Sequence, residues 1–247
     1  MGRFPNIAAS KAKTGAAKAK VYSSFAKEIY QTAKNGGTDP NGNLNLRRLI
    51  EKAKKEQVPN DVINRALEKA KGMGGEDYQT ILYEGFGPGT STLIIKTMTD
   101  NVNRTVAEVR AAFNKVHKSL GVTNSVSYNY DNLTLVSFKC ENEEEIFNNL
   151  LEQELDITDF ETEDGILTIS VNPNLQHKLK DALENLVPNI DYLVDETGYY
   201  PKDKVTLSKE EMEDFQKLMY ILEDVEDVTN IYHNVNIEEW ICKDYKR

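Results

Sequence analysis

The segment from residue 133 to residue 197 alternates short apolar runs with amphipathic stretches in the order βαββαβ. Its predicted strands read LTLVSFK, ITDFETE, GILTISV and IDYLVDE, and its predicted helices read EEEIFNNLLEQ and LQHKLKDALENL. This order is the ferredoxin-like arrangement, which can close its own core. The segment therefore predicts an α+β domain, and we place its limits at residues 132–204.

The flanking segments read as two parts of a second α/β domain. Before the ferredoxin-like segment, ILYEGFG, STLIIKTMT and SVSYNY predict strands, and RTVAEVRAAFNKV predicts a helix opened by Thr105. After it come a helix opened by the capping box from Ser208 to Glu211 and the strand VTNIYHNV. Since neither part buries a sheet face alone, we expect one discontinuous middle domain, residues 76–131 and 205–247.

Residues 1–75 predict a domain of three helices. Apolar residues recur at helical spacing from Tyr22 to Ala33, and two more amphipathic segments follow Gly36 and Gly37. The glycine-rich stretch GMGGEDYQ then separates these helices from the first predicted strand. The sequence thus predicts an α+β multidomain fold: an N-terminal three-helix domain, a middle α/β domain and an inserted ferredoxin-like domain.

Charge divides the chain at nearly the same place. Residues 1–71 hold 15 Lys and Arg against 6 Asp and Glu, a net charge of +9, whereas the other 176 residues carry a net charge of −19. This asymmetry is typical of a polyanion-binding module attached to an acidic body. We therefore expect contact with nucleic acid, DNA or RNA, or with the ribosome, to be confined to the N-terminal domain. The alternative is a merely solvated helix surface.

Four lysines repeat every seven residues, from Lys13 to Lys34, on the side of the first predicted helix that lies opposite its apolar stripe. We predict that this lysine stripe contacts phosphates. Tyr30 either stacks on a base or packs between helices. Cations on the outward side of the second helix extend the surface. The predicted nucleic-acid-binding residues are Lys11, Lys13, Lys18, Lys20, Lys27, Tyr30, Lys34, Arg47, Arg48, Lys54 and Lys55.

A second group of polar residues lies where the strand STLIIKTMT gives way to a helix. Asn101, Asn103 and Arg104 cluster at the predicted helix start, a position suited to a phosphate or a carboxylate, and His233 is included with them. The same stretch reads equally well as a strand end, a turn and a capped helix. Both interpretations stay open at this point.

Catalytic and metal chemistry have no recognisable pattern in this sequence. GFGPG, residues 85–89, precedes a strand and not a helix, so it favours a hairpin connection over a phosphate-binding loop. The three histidines share no metal-ligand spacing with one another or with the two cysteines, and no nucleophile has a recognisable base. We expect a monomeric, cytoplasmic, non-enzymatic protein without metal, cofactor or membrane segment.

Several long motifs closely resemble the YebC family, formerly called probable transcriptional regulatory proteins. They are MGRFPNIAASKAKTGAAKAKVYSSFAKEIYQTAKNGGTDP, EKAKKEQVPNDVINRALEKAKG, YEGFGPG, TDNVNRTVAEVR and IYHNV, in the family's order and over nearly the whole chain. The resemblance implies the same three domains and a non-enzymatic cytoplasmic protein. Bacterial members are described as DNA-binding transcriptional regulators or as ribosomal factors that ease synthesis of proline-rich stretches, and a mitochondrial relative as a translational activator.

Two segments depart from the family pattern. HKSLGVTNSVSYNY replaces the usual GGNLG…GSVSYMF, so that Lys118, Ser119 and Asn124 stand in place of glycines and small residues. IEEWICKDYKR extends the usual C-terminus, and we expect Trp240 to pack on the middle domain.

Three functions remain open from the residues. Lysine dominates over arginine in the basic segment, and no helix carries Arg, Asn or Gln at a spacing suited to contact with base edges. This composition favours contacts with the phosphate backbone. It therefore favours a translation factor that binds RNA or the ribosome. A DNA-binding transcriptional regulator is the alternative. A protein-interaction module that binds no nucleic acid is the third.

Overall fold

A computed structural model describes residues 15–72 and 77–237 of the chain. The fold is α+β, as predicted. Short 3₁₀ turns occur at Ser127–Asn129 and Pro173–Leu175. In chain order the helices and strands are α1 (Gly15–Gly36), α2 (Leu44–Lys55), α3 (Asn60–Lys71), β1 (Gln79–Phe86), β2 (Thr92–Thr99), α4 (Val102–Asn114), β3 (Ser119–Leu120), β4 (Tyr130–Lys139), α5 (Glu143–Glu152), β5 (Ile157–Glu163), β6 (Ile166–Val171), α6 (Gln176–Leu186), β7 (Tyr192–Pro201), α7 (Lys209–Asp224) and β8 (Val228–His233).

Helices α1 to α3, hereafter the head, pack around one apolar core. Ile29 of α1, Leu46 of α2 and Ile63 of α3 are all buried in it. Asn43 joins two of the helices because its side chain accepts a hydrogen bond from the amide of Leu46 at 3.1 Å and donates to the carbonyl of Gly37 at 2.9 Å. The head is thus a small helical bundle whose first two helices are fixed end to end by a capping residue.

The first sheet has the strand order β3-β1-β2-β8. β1 and β2 form an antiparallel hairpin, with Gln79 opposite Thr99 and Phe86 opposite Thr92, so GFGPG is the predicted hairpin connection. Helix α7 begins with the predicted capping box at Ser208. Buried residues of β2, α4 and α7 form one core, which includes Leu93, Ile95, Val109, Phe113, Phe215 and Leu218.

The second sheet has the strand order β5-β6-β4-β7, and its neighbouring strands are antiparallel. Numbered within the βαββαβ segment, this order is 2-3-1-4, the arrangement of a ferredoxin-like fold. α5 and α6 supply Leu150 and Leu179 to a core that also contains Phe138 and Ile169 of the sheet. The predicted ferredoxin-like fold is confirmed by this topology.

The described chain divides into two compact units. One contains residues 127–204 and 232–234, and the other contains the head together with residues 77–126, 205–231 and 235–237. The head and most of the first sheet therefore belong to the same unit. The three domain limits set from the sequence stay predictions.

One predicted strand is wrong. SVSYNY does not extend as a strand, because Ser127–Asn129 form a 3₁₀ turn and only the last tyrosine enters β4. The buried carboxylate of Glu84 accepts hydrogen bonds from the backbone amides of Asn124 at 2.8 Å and Val126 at 2.7 Å. These contacts curl the preceding loop, which leaves no straight segment to pair.

The predicted start of α4 is also wrong. The helix begins at Val102, and its N-cap is Asn101, whose side chain accepts a hydrogen bond from the amide of Arg104 at 3.1 Å. Thr105 lies in the first turn and is fully buried. Trp240, expected to pack on the middle domain, lies outside the described residues. Within the described ranges, no helix is both long enough and apolar enough to cross a bilayer.

Candidate nucleic-acid interface

Lys20, the first lysine of the predicted stripe within the described side chains, faces the end of α7. Its ammonium donates to the carbonyl oxygen of Glu223 and, at 3.0 Å, to that of Val225. The C-terminus of a helix has unpaired carbonyls and a partial negative charge, so it is a natural acceptor for a lysine. Burial lowers the pKa of Lys20, and the carboxylates of Glu223 and Asp224 offset only part of this effect.

Asp227 brings together the second lysine of the stripe and the arginine of the other candidate site. Its Oδ1 accepts from Lys27 Nζ at 2.9 Å, and its Oδ2 accepts from Arg104 Nη2 at 2.7 Å. The hydroxyls of Thr99 and Thr105 donate to the same Oδ2 at 2.9 and 2.8 Å. The side chain of Asp227 is only 2% exposed, and that of Lys27 is 11% exposed. We call these five residues the Asp227 cluster.

The electrostatics of the Asp227 cluster favour an ionised carboxylate. Burial by itself raises the pKa of Asp227, but the hydrogen bonds from Arg104, Lys27, Thr105 and Thr99 outweigh it and hold the pKa well below its usual range. The hydrogen bond with Asp227 also raises the pKa of Arg104 above its ordinary value. At neutral pH Asp227 is therefore an ionised carboxylate, and both of its buried oxygens are hydrogen-bonded.

The last lysine of the stripe, Lys34, forms an ion pair with the exposed carboxylate of Asp77. This hydrogen bond raises the pKa of Lys34. The neighbouring Tyr30 is buried, and its ring meets that of Tyr78 edge-on at 5.9 Å between centroids. The ammonium of Lys69 lies 5.4 Å from the ring of Tyr30. Of the two interpretations of Tyr30, base stacking and packing between helices, these contacts support packing in the head.

Lys20 and Lys27 donate to acceptors of the protein itself. Both lysines lie on one face of α1, as their spacing predicts, but the same compact unit supplies the acceptors that cover them. A helical repeat places side chains on a common face without deciding what that face meets. Whether these lysines also bind nucleic acid stays a prediction, and Lys11 and Lys13 lie outside the described residues.

Helix α2 carries the second group of predicted cations, three of which are exposed. Its inward side buries Leu46, Ile50 and Ala53, while its twelve residues contain five cations and a single acid, Glu51. The cations Arg47, Lys54 and Lys55 are exposed, and Arg48 and Lys52 are half-buried. We call the exposed side of this helix the α2 face. Basic residues in the last turn also suit the helix dipole, so part of this charge has a structural role.

The residues of the second candidate site have different roles in the structure. They are Asn101, Asn103, Arg104 and His233. Asn101 caps α4, and Arg104 contacts Asp100 at 2.9 Å in addition to Asp227. These contacts favour the capped-helix interpretation of this stretch. Asn103 is exposed on α4, and His233 is half-buried on β8. In the described part of the chain, no group of three or more His, Cys, Asp or Glu residues is placed to hold a metal ion.

Sequence reasoning missed Asp227, Thr99 and the inward role of Thr105. Asp227 is one of 40 acidic residues, and its contact with Lys27 joins positions 200 residues apart. No local pattern carries that information. The sequence gives an indirect signal: a regular lysine repeat with few acids on the same helix predicts that other parts of the chain or a ligand supply the acceptors.

These features define a class of protein: an α+β molecule with a cationic helical head, an acidic remainder and a ferredoxin-like part. The chain belongs to the TACO1/YebC family. The family's N-terminal domain matches residues 2–73, and its second and third domains match residues 78–235. The resemblance seen in the sequence motifs is thus confirmed.

Relatives match over nearly their full length. A probable transcriptional regulatory protein of Vibrio parahaemolyticus is 46% identical, with 96% of this chain and 100% of the relative covered. A protein of the same description from Alteromonas mediterranea is 44% identical, with 95% and 98% covered. A solved structure, a conserved hypothetical protein of Aquifex aeolicus, matches with a TM-score of 0.77 at 30% identity over 98% of this chain and 100% of that one.

Proposed function

We propose that the protein is a non-enzymatic regulator of gene expression that binds structured RNA or the ribosome through its head. The exposed cations of the α2 face are the observation that supports this function. Exposed lysines and arginines on a helix release counterions when they neutralise phosphates, and this supplies affinity without sequence information. The acidic remainder of the chain repels a polyanion and so directs it to the head.

The preference for RNA over DNA rests on the kind of cation. Three of the five cations on α2 are lysines, and these present point charges, whereas the common base-specific contact to guanine in the major groove is bidentate and made chiefly by arginine. Such a surface suits recognition of backbone shape, which is how proteins bind structured RNA. The second candidate is a DNA-binding transcriptional regulator, which the names of the relatives favour.

Charge reversal on the α2 face tests the proposal. The triple variant Arg47→Glu, Lys54→Glu and Lys55→Glu should weaken binding to a structured RNA by more than about a hundredfold and lower the salt dependence of log K by about 2. A matched control reverses Lys139, Lys204 and Lys217, exposed lysines of the remainder, with the same change in net charge. Fluorescence anisotropy across a salt series measures both proteins. Equal losses in the two variants would show that net charge, and not the α2 face, governs binding.

Selection from a random duplex library, run beside ribosome co-sedimentation from lysate, separates the two candidate functions. The proposal predicts ribosome association and little preference among duplexes. One enriched motif bound on the order of a thousandfold above random DNA, without ribosome association, would make the protein a transcriptional regulator. If the protein bound no nucleic acid and no ribosome, it would be an interaction module.

A further inference from the structure

Three lysines of α1 connect the head to the part of the same unit that follows it. Lys20 contacts the carbonyls at the end of α7, Lys27 contacts Asp227 and Lys34 contacts Asp77. We call this set of contacts the clamp. All three lysines come from one face of one helix, and each of them is occupied by an acceptor of the protein itself.

Polar contacts join the head to the first sheet, and Tyr78, which precedes β1, adds an aromatic contact with Tyr30. The buried apolar cluster of the head and the one formed by β2, α4 and α7 share no residue among those described. What joins them in the clamp is a set of ion pairs and lysine–carbonyl hydrogen bonds. The exposed contacts of this set are screened by salt, the buried pair at Asp227 much less so, and each of these lysines can exchange its acceptor for another anion.

The Asp227 cluster can lose Lys27 without leaving a bare buried charge. After Lys27 departs, Oδ2 of Asp227 still accepts from Arg104, Thr99 and Thr105. Arg104 likewise keeps its second carboxylate partner, Asp100. Removing one member of a buried ion pair is costly mainly because it strands the other. Here Arg104 still balances the charge of the carboxylate and three donors still bond Oδ2, although Oδ1 loses its hydrogen bond from Lys27, so an open state is accessible.

A phosphate is a better partner for these lysines than some of their present acceptors. Lys20 donates to neutral carbonyls, and the pair between Lys34 and Asp77 is exposed, the Asp77 side chain being 83% accessible. Charge-assisted hydrogen bonds to phosphate oxygens are stronger than those to neutral carbonyls, and exposed ion pairs contribute little. A polyanion can therefore displace both ends of the clamp more easily than its centre at Asp227.

We propose that the clamp is an autoinhibitory contact. In the free protein it covers a second polyanion-binding surface, formed by Lys20, Lys27 and Lys34, and a nucleic acid bound on the α2 face opens the clamp and recruits these lysines. The inference rests on the proposed function for the identity of the polyanion. The closed state keeps weak polyanions off the stripe, and the open state adds phosphate contacts once a target is engaged.

The substitution Asp227→Asn tests the clamp at its centre. We expect the affinity for a short single-stranded RNA of mixed sequence to rise about tenfold at low salt and the slope of log K against log salt to steepen by up to about 2, because each recruited lysine adds about 0.7. Asp100→Asn is the matched control, since it makes the same charge change beside Arg104 but touches none of the three lysines. It should change the affinity less than about twofold.

A second substitution identifies the source of the gain. In the Asp227→Asn background, adding Lys27→Met should remove a large share of the increase, whereas Lys27→Met in the wild-type protein should have a smaller effect because Lys27 is then held by Asp227. The proposal is wrong if Asp227→Asn leaves the RNA affinity and the salt slope unchanged. It is also wrong if the double variant with Lys27→Met keeps the whole increase in affinity. Should Asp227→Asn not fold, Asp77→Asn alters an exposed side chain and should give a gain of about threefold through Lys34 alone.

Hydrogen exchange separates failure of the clamp from failure of the proposed function. Without any nucleic acid, Asp227→Asn should speed amide exchange in residues 223–228, where Lys20 contacts the end of α7, while Asp100→Asn should not. If the wild-type protein binds no RNA yet this difference is present, the clamp stands and the proposed function fails. If exchange in this segment is the same in both variants, the clamp is not a separable contact and the inference is overturned.

Discussion

The head carries two cationic helix faces that resemble each other in sequence and differ in use. Lys20, Lys27 and Lys34 of α1 donate to acceptors of the protein itself, and Lys27 is nine-tenths buried at Asp227. Helix α2 contains five cations and one acid, and Arg47, Lys54 and Lys55 on the α2 face are exposed. The comparison shows that an excess of positive charge on one helix face predicts contact with an anion. That anion can be a carboxylate of the protein itself as readily as a phosphate.

The difference between the two faces has a geometric origin. Both helices bury one apolar stripe in the head, so both turn their cations away from that core. Lys20 and Lys27 of the 22-residue α1 meet the end of α7 and Asp227, whereas three cations of the 12-residue α2 are exposed. α3 also exposes three cations, so the accessible positive charge of the head lies mainly on the two shorter helices.

Removal of Asp227 should produce the largest effect on stability. We expect Asp227→Ala to lower the free energy of unfolding by about 3 kcal/mol, because it leaves Lys27 buried without a carboxylate partner and removes the acceptor of two buried hydroxyls. Urea denaturation measures the change. Asp214→Ala on the exposed side of α7 is the control and should stay within about 0.5 kcal/mol. Equal losses in the two variants would contradict a structural role of the cluster.

A matched pair of lysine substitutions compares the two faces directly. Lys27→Met should cost about 1.5 kcal/mol of unfolding free energy, since it removes a charge-assisted hydrogen bond from a mostly buried site. Lys54→Met, on the exposed side of α2, should cost less than about 0.5 kcal/mol. Thermal and urea denaturation of both variants provide the measurement. If Lys54→Met were the more destabilising change, the assignment of the two faces would be reversed.

The smallest effect should be the pH dependence of the Asp227 contribution between about pH 7 and pH 5. The pKa of Asp227 is depressed in the folded protein, so its contribution is fully present above the unfolded-state pKa, which is about 3.9 for an aspartate, and is lost as the pH falls through the lower folded-state value. The difference in unfolding free energy between wild type and Asp227→Asn should thus stay constant from about pH 7 to pH 5 and shrink below about pH 4. A difference that shrank already between pH 7 and pH 5 would contradict a depressed pKa.

The parts of the fold that the sequence predicted correctly depend on neighbours in the chain. The βαββαβ order, the hairpin at GFGPG and the capping box at Ser208 are confirmed, because periodicity, turn chemistry and capping act within a few residues. SVSYNY reads as a strand by the same local rules and is wrong. The buried carboxylate of Glu84, 40 residues earlier, holds that loop in a curled conformation.

The sequence by itself determined the class of fold, the family and the concentration of positive charge in the N-terminal segment. Only the tertiary structure decided which cations are accessible, because an ion pair depends on distance in space and not along the chain. Lys27 and Asp227 are 200 residues apart in sequence and 2.9 Å apart in the folded protein. A heptad repeat can align lysines on one face, but folding determines whether that face meets water, a target or the protein's own acid.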